Sequence, residues 1–421
     1  MRVEPGTAEL DRPATRFALP DDLAAAEPPE ARGLARDGVR LLAADGDRIE
    51  HARFAELGRF LRPGDLLVVN TSATRAAAVD GRIGGLGAVV VHFAIFLDDG
   101  SWVVEIRTAP AAAHPIRNLL PGRRIELPDG NLTLVAPEPV DQGPGGPRLW
   151  RTEPLDPHRV HDLLGRHGRP IRYGYLAGQW PLASYQTVFA APTDPSDQAD
   201  PGAQVDPGAQ PTSTGRLAAS DRAGLGASAE MPSAGRPFST ELVSRLIGQG
   251  VLFAPITLHA GVSSAESGEP PAAEWFRVPA RTAALVNWTR KTGGLVIAVG
   301  TTVTRALESA ALPRDLGRMD RPLVQDHGPE EAGTQARRAQ GHGQDGGEVV
   351  AAEGWTGLVL GPQQPVRVVD GLITGLHDPD ASHLLLLEAV AGPPLVQRVY
   401  DAALDRRYLW HEFGDSCLLL P

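Results

Sequence analysis

Residues 293–310, "GGLVIAVGTTVTRALESA", restrict the fold more than any other stretch of this chain. Residues 295–299 are apolar, uncharged and partly β-branched, which is the pattern of a short strand buried on both faces. Gly300 permits a tight turn, and Thr301 or Thr302 supplies a cap for a helix beginning near Val303. Leu307 then follows Val303 at the i, i+4 spacing of one helix face. A covered strand leading into an amphipathic helix implies an α/β sheet. Such a connection also points free backbone N–H groups beyond the strand end, a place that suits an anion. A well-capped turn with no ligand gives the same pattern, so the stretch alone leaves both readings open.

At 421 residues the chain is long for one domain. Its 42% hydrophobic content supports a real core, while 47 Gly and 38 Pro require long loop tracts. No window approaches the 18 uncharged apolar residues of a membrane-spanning helix. The start, "MRVEPGTAELDRPATRF", has scattered charges and no apolar segment of the secretory type. Cys417 is the only cysteine, which rules out an intramolecular disulfide and a cysteine metal cluster. These features predict a cytoplasmic protein with no membrane partner and no metal site. A net charge of −11 confines any nucleic-acid contact to a local basic patch. One candidate is "RHGRPIRYGY" (166–175), where Arg166, His167, Arg169 and Arg172 stand near Tyr173 and Tyr175. A solvated turn around Pro170 explains the same residues.

The chain divides by pattern. Between residues 62 and 152, short strands such as "AVVVHFAIFL", "SWVVEIRTA" and "NLTLVAP" are separated by Gly-containing turns, which indicates an antiparallel barrel or sandwich. The flanks, 1–61 and 153–421, carry the α/β signals. The expected architecture is therefore a discontinuous α/β main domain with an inserted antiparallel β-barrel domain over 62–152. Residues 191–229 repeat DPGAQ and residues 313–348 are Gly-rich, and both have few large apolar side chains. Neither buries enough area to offset its ordering entropy, so both read as disordered surface insertions that folding does not need. His327 and His342, in the second, read as solvated coil rather than metal ligands.

Several polar residues stand where apolar elements end: His259 and Gly261 in "APITLHAG", Glu274 beside Trp275, and His377 before "DPDASHLLLLEAV". Open α/β sheets bind ligands at such strand ends. These motifs resemble the S-adenosylmethionine:tRNA ribosyltransferase-isomerase family of queuosine biosynthesis. "AVGTTVTRALES" is similar to the family's AVGTTSVRTLES through Gly300, Thr301, Thr302, Arg305, Leu307 and Glu308. "YQTVFA" parallels YQTVYA through Tyr185, Gln186 and Thr187, and "TLHAG" parallels TLHVG through Thr257, His259 and Gly261. "GWT" and "VVDGLITGLHDP" keep Trp355, Asp370, Thr374, His377 and Pro379, and Tyr408, Gly414 and Asp415 follow near the end. The chain departs from the family at NDTR, which reads "NTSA" with only Asn70 kept, and at PTAGLHFT, which reads "PSAGRPFS" with Arg236 and Pro237. Gly375-Leu376 also replaces the family's Asn-Phe.

The resemblance implies a transferase-isomerase that moves the ribosyl group of S-adenosylmethionine, used as co-substrate, to a 7-deazaguanine base in tRNA. A sulfonium acidifies the neighbouring C5′ protons, so that chemistry needs a base, for which His259, His377 and Glu274 are candidates. The co-substrate is expected at Gly300, Thr301, Thr302, Arg305 and Trp355. Asn70, Tyr185, Gln186, Thr187 and Asp415 are expected on the acceptor side. The departures leave two other readings, a related enzyme with a different acceptor such as a free deazapurine, and a non-catalytic binding protein.

Overall fold

The computed structural model describes residues 12–138, 146–191, 226–262, 272–311, 347–362, 364–379 and 381–420. Its first β system is built from β1 (Arg40–Asp45), β2 (Arg48–Arg53), β3 (Leu66–Asn70), β10 (Leu252–Leu258), β11 (Glu274–Val278), β12 (Val296–Val299), β13 (Ala352–Thr356), β14 (Gly371–Gly375) and β15 (Ser416–Leu420). These form one nine-stranded sheet in the order β13-β11-β10-β3-β12-β14-β15-β1-β2. The middle strands β10, β3, β12 and β14 are parallel. β15 runs antiparallel to β14 and parallel to β1.

Alternating side chains of the central strands feed two cores. Leu66, Val68, Ala298 and Leu372 pack under helices α3 (Ala280–Thr292), α4 (Thr301–Ala310), α5 (Ser382–Ala391) and α6 (Pro393–Asp405). Leu67, Val69, Ile297, Val299 and Ile373 pack on the other face against Phe54, Phe238 and Leu242 of helix α2 (Thr240–Gly248). Burial on both faces is why these strands read as unbroken apolar runs. The α/β expectation holds.

The second system is a closed antiparallel barrel, β4-β5-β6-β9-β8-β7. Its strands are β4 (Ala78–Ile83), β5 (Gly87–Phe96), β6 (Trp102–Thr108), β7 (Arg124–Leu127), β8 (Gly130–Pro137) and β9 (Leu149–Thr152). Val79, Val91, Val104, Ile125 and Leu132 fill it, joined by Val160, Leu163 and Leu164 of helix α1 (Pro157–His167). Asp156 caps α1 by accepting the His158 N–H, and Pro157 starts it.

The outer face of β5, β6 and β9 turns toward the main sheet. It carries a buried ionic knot in which Glu105 meets Arg107 at 2.7 Å, Arg148 at 2.9 Å and His92 at 3.2 Å. Burial opposes the Glu105 charge, but His92, Arg148 and Arg107 outweigh it and hold the carboxyl at about 2.

Three sequence expectations shift. The barrel begins at Ala78 rather than residue 62, because the fully buried Leu66–Asn70 strand pairs with β10 and β12 in the large sheet. The insertion expected over 191–229 ends earlier. Ala227, Ser228 and Ala229 are buried, and the Ala229 N–H donates to the Ala260 carbonyl at 2.7 Å. Finally, α4 starts at Thr301 with Gly300 as its cap residue, so neither threonine caps it. Residues 192–225 and 312–346, with His327 and His342, lie outside the described residues.

Glu308 of α4 ties the helix to the sheet. Its carboxylate accepts the backbone N–H groups of Arg367 (2.8 Å), Val368 (2.9 Å) and Val369 (3.0 Å) just before β14. Glu308→Ala strands three donors and is expected to cost roughly 3 kcal/mol or more. Urea unfolding measures this, and a loss below about 1 kcal/mol would show that solvent replaces the carboxylate.

Candidate functional site

The carboxyl ends of the parallel strands form a row, a position where open α/β sheets place ligands. In sheet order it runs from His259 after β10, through Asn70 on β3 and Gly300 after β12, to Gly375 on β14. Three inter-strand steps of about 4.8 Å make this row roughly 14 Å long.

At one end stands His259. Its Nδ1 lies 2.8 Å from the Ser72 hydroxyl, which receives a hydrogen bond from the Ser228 hydroxyl at 2.8 Å. Ser228 in turn accepts the Ala260 N–H at 3.1 Å. The imidazole stacks on Trp275 with centroids 5.2 Å apart and planes at 16°. Its Nε2 is buried without a partner. Burial, then the charge of Arg75, pushes His259 down to about 3, so the ring is neutral at pH 7. His259 lines a cleft with Arg75, Asp98, Trp275 and Trp355. Trp355 donates its indole N–H to Asp98 at 3.0 Å, closing the cleft between sheet edge and barrel.

In the middle of the row, Gly300 has φ 101°, a conformation that favours glycine. Its N–H donates to the Ile373 carbonyl at 2.8 Å. The first turn of α4 follows with no side chain capping it. A Cβ on Gly300 would sit 3.4 Å from the Ala234 Cβ, so the approach here is close. Next to it lies a second, small cavity, lined among others by Arg36, Ser233, Arg236, Gly375 and Glu412.

Other sequence candidates have their polar atoms engaged inside the protein. The Asn70 amide bonds both the carbonyl (2.9 Å) and the N–H (3.1 Å) of Leu258. Gln186 clasps the Thr74 N–H at 3.1 Å and carbonyl at 2.6 Å. The Thr187 hydroxyl accepts the Phe189 N–H at 3.3 Å. Tyr185 is the exception: it is buried against Phe413 with its hydroxyl unpartnered, and burial raises its phenol. Asp415 accepts the N–H groups of Arg40 and Leu409, both at 2.8 Å, and pairs with the Arg40 guanidinium at 2.7 Å.

Glu274 takes the Gly261 N–H at 3.1 Å and pairs with Arg305 at 2.6 Å. Burial raises its carboxyl and Arg305 opposes the rise. Arg305 also donates to the carbonyls of Ala272, Thr356 and Leu358, each at 3.1 Å. His377 lies with its Nε2 3.0 Å from the Thr374 hydroxyl and its ring stacked 4.5 Å from His383. Burial, then the neighbouring His383 and His411, holds it well below the usual histidine range.

The basic stretch 166–175 is not a free cationic patch. Arg166 and His167 pair with Asp129 at 3.2 and 2.9 Å, and Arg169 pairs with Asp80 at 2.6 Å. Arg172 donates to the Leu176 carbonyl at 3.1 Å. Its tyrosines turn inward: Tyr173 donates to Glu230 and Tyr175 donates to Glu412. Ser72, Ser228, Glu230 and Glu412 carry no signal in the sequence, and Arg236 shows there only as a departure from the family motif, because each gains its neighbours from segments remote in the chain. Among the described residues no three His, Cys, Asp or Glu side chains gather in a metal-binding group, and no helix is long and apolar enough to cross a membrane.

The sequence profile described as queuosine biosynthesis protein matches residues 14–206 and 222–419. The S-adenosylmethionine:tRNA ribosyltransferase-isomerase of Gloeobacter violaceus is 31% identical, covering 96% of this chain and 94% of its own. Its namesake from Symbiobacterium thermophilum is 30% identical over 96% of this chain and 98% of its own. A crystal structure of S-adenosylmethionine tRNA ribosyltransferase from Thermotoga maritima aligns with a TM-score of 0.45 at 24% identity, covering 96% of this chain and 99% of that one.

The neutral histidine has a thermodynamic signature. A folded value of about 3 against about 6.5 unfolded means the unfolded chain binds the extra proton first on acidification. The contribution of His259 to stability is complete above about pH 6.5 and is lost as pH falls from there toward 3. His259→Gln is expected to flatten the acid side of the stability curve, as read by urea midpoints from pH 7 to pH 4. An unchanged slope would show that His259 is accessible to protons in the folded state.

Proposed function

Because this chain belongs to the queuosine biosynthesis protein family, we propose that it transfers and isomerises the ribosyl group of S-adenosylmethionine onto a 7-deazaguanine base in tRNA. The observation that carries this reading is the uncapped start of α4 at Gly300, central in a row of strand ends with a cavity on either side. Helix N–H groups there suit the carboxylate of the methionyl end. About 9.6 Å away, two strand steps along the row, stands His259, and the indoles of Trp275, stacked on it, and Trp355, in the same cleft, offer apolar and cation-attracting faces for the nucleoside and its sulfonium. A donor with an amino acid at one end and a nucleoside at the other fits such a row.

Gly300, Thr301, Thr302, Trp275, Trp355 and His259 are on this reading the groups nearest the co-substrate. Arg305, Glu274, Asn70, Gln186 and Asp415 act one layer out by fixing the strand ends. The acceptor is bound despite the protein's negative charge, so contact with tRNA phosphate is local.

Two measurements test the reading. Adenine release is expected with tRNA carrying the aminomethyl-deazaguanine and absent with tRNA lacking it. Thr301→Asp keeps a residue favoured at helix starts but sets a negative charge against the ligand carboxylate. It is expected to weaken S-adenosylmethionine binding by about 1–3 kcal/mol in calorimetric titration. Equal affinity for both proteins would reduce Gly300-Thr301-Thr302 to a plain turn.

A further inference from the structure

Two residues of the His259 cleft carry a buried nitrogen that bonds nothing, and a chain of hydrogen bonds shows what the first of these nitrogens is. The Ala260 N–H donates to the Ser228 hydroxyl at 3.1 Å, so Ser228 turns its own proton elsewhere. Two acceptors stand near it, the Ser72 hydroxyl at 2.8 Å and the Leu258 carbonyl at 3.4 Å. Only the first lies at ordinary O–H···O length, and the Asn70 amide already bonds the second at 2.9 Å. Ser228 therefore donates to Ser72, and the Ser72 proton is left for the His259 Nδ1, 2.8 Å away. Burial, then the charge of Arg75, keeps the ring neutral at pH 7. A neutral imidazole that accepts at Nδ1 carries its hydrogen on Nε2. The unpartnered Nε2 is thus a donor, not a proton acceptor.

The second nitrogen is the Nε of Arg75, also buried and without a partner. Among the described residues no carboxylate pairs with this guanidinium, which lies 4.8 Å from the Trp102 ring centroid. Burial lowers it only to about 10, so it stays a cation at pH 7. One short segment sets both donors. The Arg75 N–H donates to the Ser228 carbonyl at 3.0 Å, and the Ser228 N–H donates to the Ala73 carbonyl at 2.8 Å. Ser228 thus fixes Arg75 through its backbone and His259 through its hydroxyl. Buried donors without partners are costly, and a ligand with two acceptor atoms satisfies both.

The walls select the kind of ligand. The indoles of Trp275 and Trp355, with Phe96 and Leu97, make the cleft largely apolar, and Asp98 adds a carboxylate. Such walls suit an aromatic ring, whereas a phosphate would meet the like charge of Asp98. A sulfonium beside Arg75 would be repelled in the same way. The set fits a neutral heteroaromatic base with acceptor nitrogens on its edge.

We infer that this cleft is a slot for the adenine of S-adenosylmethionine, in which the His259 Nε2–H and the Arg75 Nε–H donate to two of its ring nitrogens. The assignment rests on the proposed reaction and deepens it. His259 becomes a recognition residue rather than the base, and the sulfonium lies on the Gly300 side of the adenine, away from Arg75. With N9 joined to the ribose, adenine offers lone pairs at N1, N3 and N7 for the two donors.

Calorimetric titration without tRNA tests the slot, using S-adenosylmethionine and its 1-deaza, 3-deaza and 7-deaza analogues, each with a C–H in place of one ring nitrogen. Two of the three are expected to bind the wild type about fivefold or more weaker than the parent. Arg75→Met is expected to erase one of these losses, and His259→Phe, which keeps a ring on Trp275, the other. Arg75→Met is also expected to leave the urea midpoint of the free protein unchanged or raised, because it removes a buried N–H that bonds nothing. A lowered midpoint with every deaza loss intact would make Arg75 a folding residue and overturn its part. Nitrogen NMR is expected to find the His259 hydrogen on Nε2 at pH 7, and a hydrogen on Nδ1 overturns the donor role. Losses with fewer than two analogues overturn the slot, and three analogues that bind like the parent leave the cleft to an anion or to the acceptor base. If His259→Phe does not fold, an Arg75→Met protein that keeps every wild-type loss overturns the slot by itself. A wild type that does not bind S-adenosylmethionine sinks the proposed reaction together with the slot. One that binds it, loses affinity with Thr301→Asp and shows no deaza losses sinks the slot alone.

Discussion

One side-chain amide holds the strand ends in register. The chain leaves the large sheet at Asn70 to build the barrel, and a parallel pair would normally fray at such a departure. Asn70 instead offers its Oδ1 and Nδ2 to the Leu258 N–H and carbonyl, continuing the ladder with side-chain atoms. The same Oδ1 accepts the Ser72 N–H at 3.0 Å, turning the chain so that the Ser72 hydroxyl meets His259. The ladder, the departure and the histidine are therefore set by one planar group. An aspartate in its place would supply acceptors but no donor for the Leu258 carbonyl.

Much of the remaining polar inventory at the strand ends has the same scaffolding character. Arg305 gathers Glu274 and three carbonyls, and Asp415 gathers Arg40 and two backbone N–H groups. Buried polar groups need partners, so a site made of many of them becomes rigid once all are satisfied. Among the buried atoms left unsatisfied, the His259 Nε2 and the Arg75 Nε belong to residues that line one cavity and the Arg236 Nη1 to a residue that lines the other. Between them lies the uncapped start of α4.

The sequence disclosed those features whose cause is local. The β12–Gly300–α4 unit was legible because apolar runs and helical spacing arise within a few residues. The barrel was legible as short strands with Gly turns, though β3 was placed in it wrongly. A five-residue apolar strand before Asn70 looks the same whether its neighbours come from a barrel or from β10 and β12. His259 was found from its strand end, but its partners Ser72 and Ser228 lie 187 and 31 residues away along the chain, beyond any local pattern. Tyr173 and Tyr175 looked like a basic-aromatic surface, yet Glu230 and Glu412 draw them inward from remote segments. Glu412 carried no signal at all, since burial and a phenol partner, not its sequence neighbours, give it its character.

The position of β15 bears on the order in which the molecule is made. This strand sits between β14 and β1, and it carries Asp415, the partner of Arg40, at its entrance. Synthesis proceeds from the amino end, so β1 and β2 emerge first and wait for more than 350 residues before the strand that joins them to the sheet appears. During that interval the hairpin has two open edges, while the barrel, closed on itself from Ala78 to Thr152, has none. The barrel can therefore fold early on the ribosome as a finished unit. The large sheet is a late event, and the row of strand ends takes its final shape only when β15 pairs with β14 at one end of it.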